Sequence, residues 1–123
     1  MRAMRAMPTD DGVAEAINSF KKLREEIGVS RSIFSRLMSI SERSLADYET
    51  NKKEPSDAVL RKMRELERLV AELQKTIDPV FLRKWLMEPN SAFDKFKPIE
   101  VIERGESDRI WQMIYFIRSG NPT

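Results

Sequence analysis

An all-α protein is what this sequence predicts, and three observations carry the prediction. Apolar residues recur at i, i+3 and i+4, strand-like alternation is scarce, and only four glycines interrupt 123 residues. That length suits one medium domain or two very small ones joined by a shared element. With 41% hydrophobic and 34% charged residues the composition is that of an ordinary soluble globular protein, and the apolar runs are too short to span a bilayer. The opening Met1-Arg2-Ala3-Met4-Arg5-Ala6-Met7 is basic but lacks the apolar stretch of a signal peptide. The expectation is a cytoplasmic chain, not membrane-bound, whose residues 1–12 form a flexible tail.

Composition also narrows the chemistry. The chain has no cysteine and no histidine, which excludes disulfides and thiolate metal sites and removes the commonest general base. No catalytic residue, metal or cofactor is expected. The best remaining carboxylate pair, Glu103 and Glu106, lies in an exposed turn broken by Gly105, a poor frame for acid–base catalysis. Twenty-two basic against twenty acidic residues give a net charge of +2, so any nucleic-acid site must be local.

The elements follow from punctuation. Thr9, Asp10 and Asp11 offer caps for a first helix with Val13, Ala16, Ile17, Phe20, Leu23 and Ile27 on one stripe, ending at Gly28. Ser30 caps a short helix that turns Ile33, Phe34 and Leu37 inward, and Ser41 caps another with Leu45 and Tyr48 inward. Asn51 tolerates the left-handed backbone that ends it, and Pro55 suits the first turn of a long fourth helix. There Val59, Met63, Leu66, Val70, Leu73 and Ile77 follow heptad spacing, a seam that serves either a coiled-coil homodimer or, widened by Leu60 and Leu69, packing within the fold. Residues 13–77 thus make one domain. Asp78-Pro79 restarts the chain as cap and first helical residue, opening a second domain, 78–123, with Phe81, Leu82, Trp85 and Leu86. A loop from Glu88 to Lys97 precedes a helix opened by Pro98 and closed by Gly105. A last helix is capped by Ser107, carries Ile110, Trp111, Ile114 and Ile117, and stops at Gly120.

Ser30 to Asn51 spells two helices and a tight turn. Phe34, Leu37, Ile40, Leu45 and Tyr48 form a buried wedge, with small Ser35 and Ala46 where crossing helices approach. Such a pair leaves the N-terminus of its second helix free to enter a DNA major groove. Ser41, Glu42, Arg43, Ser44 and Asp47 lie there as candidate readers of bases. Ser30, Arg31 and Ser32 begin the preceding helix, where backbone amides favour a phosphate, and Lys52 and Lys53 follow as phosphate anchors. From Leu23 to Leu66 the chain resembles the Xre-type helix-turn-helix of bacterial and phage repressors, in its Leu-Arg-Glu-Glu-Ile-Gly-Val-Ser opening and its Glu49 and Pro55. Ser39 and Asn51 stand where that family usually has glycine.

In the second domain, Trp85-Leu86-x-x-Pro89-Asn90, then Pro98-Ile99-Glu100-Val101-Ile102, then Gly105-Glu106 and a helix ending at Gly120 resemble the Xre/MbcA/ParS toxin-binding domain over roughly Asp78 to Pro122. The resemblance implies an antitoxin that neutralises a RES-type, NAD-consuming toxin and represses its own operon by binding double-stranded operator DNA as a dimer or higher complex. It further implies that Arg118, Ser119, Gly120, Asn121, Pro122 and Thr123 block the toxin's pocket. Gly120 and Pro122 both resist helix continuation, so this end is expected to project. The competing expectation is a stand-alone, phage-like repressor whose second domain oligomerises or binds an antirepressor.

Overall fold

The computed structural model describes residues 20–120, and among them the secondary structure is entirely helical. The expected caps at Thr9 to Asp11, the stripe residues before Phe20 and the end from Asn121 to Thr123 lie outside the described residues. Helix α1 covers 20–27, followed by α2 (Arg31–Met38), α3 (Glu42–Glu49), α4 (Asp57–Thr76) and α5 (Pro79–Met87). A 3-10 turn (Ser91–Phe93) then precedes α6 (Pro98–Glu103) and α7 (Ser107–Ser119). Two compact units divide between Arg64 and Glu65, inside α4, whereas punctuation alone places the boundary at Ile77. The physical reason is that α4 stays buried past Arg64, through Leu66, Leu69, Val70 and Leu73, so its second half belongs to the second unit's core.

In the first unit Phe20, Leu23 and Ile27 bury one face of α1. Gly28, at φ 76°, then closes the helix by donating to the Arg24 carbonyl at 2.9 Å. Ser30 and Ser41 cap α2 and α3 as expected, accepting from the amides of Ile33 at 3.2 Å and Ser44 at 3.0 Å. Phe34, Leu37, Met38, Leu45 and Tyr48 are buried, and Tyr48 stacks on Phe20 at 5.7 Å between ring centroids. Ile33 and Ile40 are only half-buried, and Met38 takes the place in the wedge that Ile40 was expected to fill. Ser35 is buried where α2 packs on α3, and its hydroxyl is satisfied by donating to the Ser32 carbonyl at 2.8 Å.

The turn joining α2 and α3 requires a left-handed residue, and Ser39 supplies it at φ 58°. Asn51 does the same after α3, at φ 61°. Both are the positions where the resembling family favours glycine, so the backbone demand persists although the residue differs. Pro55 is buried but precedes α4 instead of opening it. Ser56 caps α4, accepting from the Val59 amide at 3.2 Å, because a hydroxyl can satisfy an orphan amide and a proline ring cannot. On α4 the heptad residues from Met63 to Leu73 are all buried with Leu69, while Val59, Leu60 and Ile77 are half-buried. The stripe is therefore broader than a two-helix seam.

In the second unit Asp78 caps α5 by accepting from the Val80 amide at 3.0 Å, with Pro79 first in the helix. Leu82 and Leu86 are buried, while Phe81 is 59% exposed because the packed stripe advances by four from Leu82. Asn90 organises the following loop. Its side chain accepts from the Ala92 amide, and its carbonyl accepts from Phe93 and Lys95, each at 2.9 Å. Half-buried Trp85 meets buried Phe93 edge to face at 6.2 Å. Asp94 and Lys95 both take positive φ, and Arg109 covers the turn, lying over the Phe93 ring and bonding Asp94 at 3.0 Å. Helix α6 buries Ile99, Val101 and Ile102 against α5 and α7. Glu106, not Ser107, is the N-cap residue of α7: the Glu106 amide is taken by the Val101 carbonyl at 3.0 Å, so the chain enters the helix one residue early. On α7 Ile110 and Ile114 are buried, whereas Trp111 and Ile117 lie outside the core.

The Leu45 side chain is fully buried in the α2–α3 wedge. Leu45→Ala should lower unfolding free energy by about 2–5 kcal/mol, measured by urea denaturation. A loss well under 1 kcal/mol would contradict this account of the wedge.

Candidate functional site

Helix α3 presents its first turn to solvent because Ser41 closes the backbone there without a bulky side chain. The Ser41 hydroxyl accepts from the Ser44 amide and donates to the Ser44 hydroxyl, both at 3.0 Å. Ser44 thereby keeps its own proton for an outside acceptor. Arg43 is exposed and makes no ion pair among the described residues, and Lys52 and Lys53, just beyond α3, are also exposed without one. Asp47 is half-buried, and its carbonyl accepts from the Lys52 amide at 2.8 Å, which fixes the start of the lysine pair relative to α3. Ser30 is engaged as the cap of α2, and the Ser32 hydroxyl accepts from Arg36 at 3.2 Å.

Arg31 is placed differently from a free cation. Its Nε donates to Glu49 at 2.9 Å, and Glu49 also accepts from Arg24 at 2.9 and 3.2 Å. The Glu49 side chain is only 2% exposed, so this acidic charge is sheltered behind two arginines and does not face an approaching polyanion. Burial alone would raise its carboxyl, but hydrogen bonds and charge from Arg24 and Arg31 together hold it below the usual carboxylate range. Pairing across 25 residues is not readable from sequence spacing, although Arg24 and Glu49 both fall within the stretch that carries the Xre-type resemblance. Lys62, not among the predicted residues, reaches the Ser39 hydroxyl at 3.3 Å and adds a cation beside the α2–α3 turn.

The expected partner-binding end divides. Arg118 and Ser119 are the last residues of α7, and Gly120 ends it at φ 70°. Arg118 pairs with Glu72 of α4 and, ahead of Lys75, lowers the Glu72 carboxyl. Sequence reasoning did not single out Tyr115 and Phe116, which with Ile117 are exposed near the end of the same helix, at 69%, 51% and 55%. The residue types were visible, but an i, i+4 stripe fits either of two faces of α7 until the packing of α6 selects Ile110 and Ile114. Trp111, Ile114, Tyr115, Arg118 and Ser119 line a cavity of about 380 Å³. Glu106, weighed above as a candidate carboxylate, is bonded by Arg104 and Arg109, each at 3.3 Å. Among the described residues no acidic cluster suits a metal ion and no helix is long and apolar enough to cross a membrane.

A two-helix wedge with a capped, outward-facing second helix defines the class: residues 20–78 match the helix-turn-helix family and form such a domain. No curated protein matches the chain. Among solved structures the fold is shared with a chain from the crystal structure of the M. tuberculosis MbcT–MbcA toxin-antitoxin complex. The two are 19% identical, with a TM-score of 0.68 over 87% of this chain and 96% of that one.

Because Glu49 is held ionised in the fold, it contributes stability above its ordinary pKa of about 4.3 that is lost as pH falls through its lower folded value. Thermal unfolding followed from neutral to acid pH should show this loss. Glu49→Gln should lower stability at neutral pH and flatten the acid limb. Parallel acid limbs for the two proteins would contradict the assignment.

Proposed function

We propose that this protein is an antitoxin, binding operator DNA through its first unit and a cognate protein toxin through its second. The observation that carries the reading is the combination of a helix-turn-helix domain with a fold that follows, over 87% of the chain, a chain of a toxin–antitoxin complex. In this reading the exposed start of α3 enters the major groove, with Arg43 and Ser44 donating to base edges and Asp47 bordering them. Lys52 and Lys53 engage phosphates, as do Ser30, Arg31 and Ser32 at the start of α2. The toxin is of the RES type that consumes NAD, the protein acts in the cytoplasm without catalysing a reaction, and operator binding requires a homodimer.

The partner surface combines the expected end, Arg118 to Thr123, with the apolar face of α7. Aromatic side chains exposed together on one helix are typical anchors of a protein interface, where desolvated rings carry most of the binding energy. Arg118 and Ser119 line the same cavity as Trp111 and Tyr115, so the end of α7 adjoins the side of the helix that carries these two rings.

Two measurements test the halves separately. Arg43→Ala with Ser44→Ala should abolish discrimination between the DNA upstream of its own gene and a scrambled duplex, at about 1–3 kcal/mol per lost base contact, in gel-shift titrations at one fixed salt. An unchanged specificity ratio would rule out α3 as the reading helix. Tyr115→Ala with Ile117→Ala should lose co-purification with the product of the neighbouring gene while leaving DNA binding and unfolding temperature in place. Should the unaltered chain form no such complex, the protein would be a stand-alone regulator.

A further inference from the structure

Arg31 is tied on one edge only. Its Nε bonds Glu49 at 2.9 Å, while its terminal amino groups donate no hydrogen bond among the described residues and its side chain is 44% exposed. A guanidinium is a planar fork, so fixing Nε against a carboxylate sets the direction of the opposite edge. Glu49 is itself immobilised by two hydrogen bonds from Arg24, and its side chain is all but excluded from solvent. The relay therefore runs from a held carboxylate to a half-held arginine whose outward edge matches a tetrahedral anion.

We infer that Glu49 is a positioning residue for DNA binding, orienting Arg31 so that its terminal amino groups meet a backbone phosphate. The inference rests on the DNA-binding reading above and goes beyond it, because it assigns an acidic residue a favourable part in binding a polyanion. Simple charge counting gives the opposite sign: removing Glu49 makes the chain more positive and should tighten its grip on DNA. Orientation and net charge thus predict opposite outcomes for one substitution.

The experiment is a salt series of binding isotherms for the full chain on a mixed-sequence DNA duplex, since a phosphate contact is independent of sequence. Glu49→Ala should weaken binding several-fold and reduce the slope of log affinity against log salt by about 0.9, the value of one phosphate contact. Added to Arg31→Ala, it should change the slope no further. Tighter binding by Glu49→Ala, or an unchanged slope, overturns the inference. Arg31→Lys tests it without touching Glu49: a lysine keeps the charge but lacks the second edge, so affinity and slope should fall here too, and binding equal to the unaltered chain overturns it. That variant decides the matter if Glu49→Ala does not fold. If the unaltered chain shows no salt-dependent DNA binding, both the inference and the DNA-binding reading fail; if it binds and Glu49→Ala binds more tightly, only the inference fails.

Discussion

The carboxylate of Glu49 joins three helices at one point: it belongs to α3, accepts two bonds from Arg24 of α1 and one from Arg31 of α2. A buried charge left alone would cost several kcal/mol, so the arrangement persists only while both arginines stay in place. Apolar packing of Phe34, Leu37, Leu45 and Tyr48 supplies the bulk of the first unit's stability but has little directional content. The ion cluster is directional, and it ties the end of α3 to the start of α2. The exposed first turn of α3 and the cations around it inherit their relative positions from that tie.

The second unit solves a different problem with similar means. Its loop from Glu88 to Lys97 carries two successive left-handed residues, Asp94 and Lys95, neither of them glycine. Arg109 offsets that local cost by bonding Asp94 and Glu106 and lying over Phe93, while Arg104 covers Phe96 at 4.4 Å. Buried Ile110 and Ile114 fix which side of α7 faces inward, leaving Tyr115, Phe116 and Ile117 outside.

Much of this was legible in the residues. Ser30, Ser41, Asp78, Gly28 and Gly120 announced helix ends because capping is local chemistry within one turn. The wedge could be read from its spacing, apart from the exchange of Ile40 for Met38, which depends on how α2 rotates against its neighbours. Less legible was anything decided by two distant elements. The Arg24–Glu49 pair spans 25 residues, and the division inside α4 depends on which partners each half of that helix meets. The candidate DNA-facing residues were legible as exposed and polar, but that Arg31 is half committed to Glu49 was not.

The central claim is that one small helical chain joins a DNA-reading unit to a toxin-binding unit. It is tested most directly by growth of cells that express the neighbouring gene's product with and without this protein. Growth arrest by that product alone and recovery on co-expression is the predicted result. Arrest that persists despite abundant, folded protein would contradict the claim.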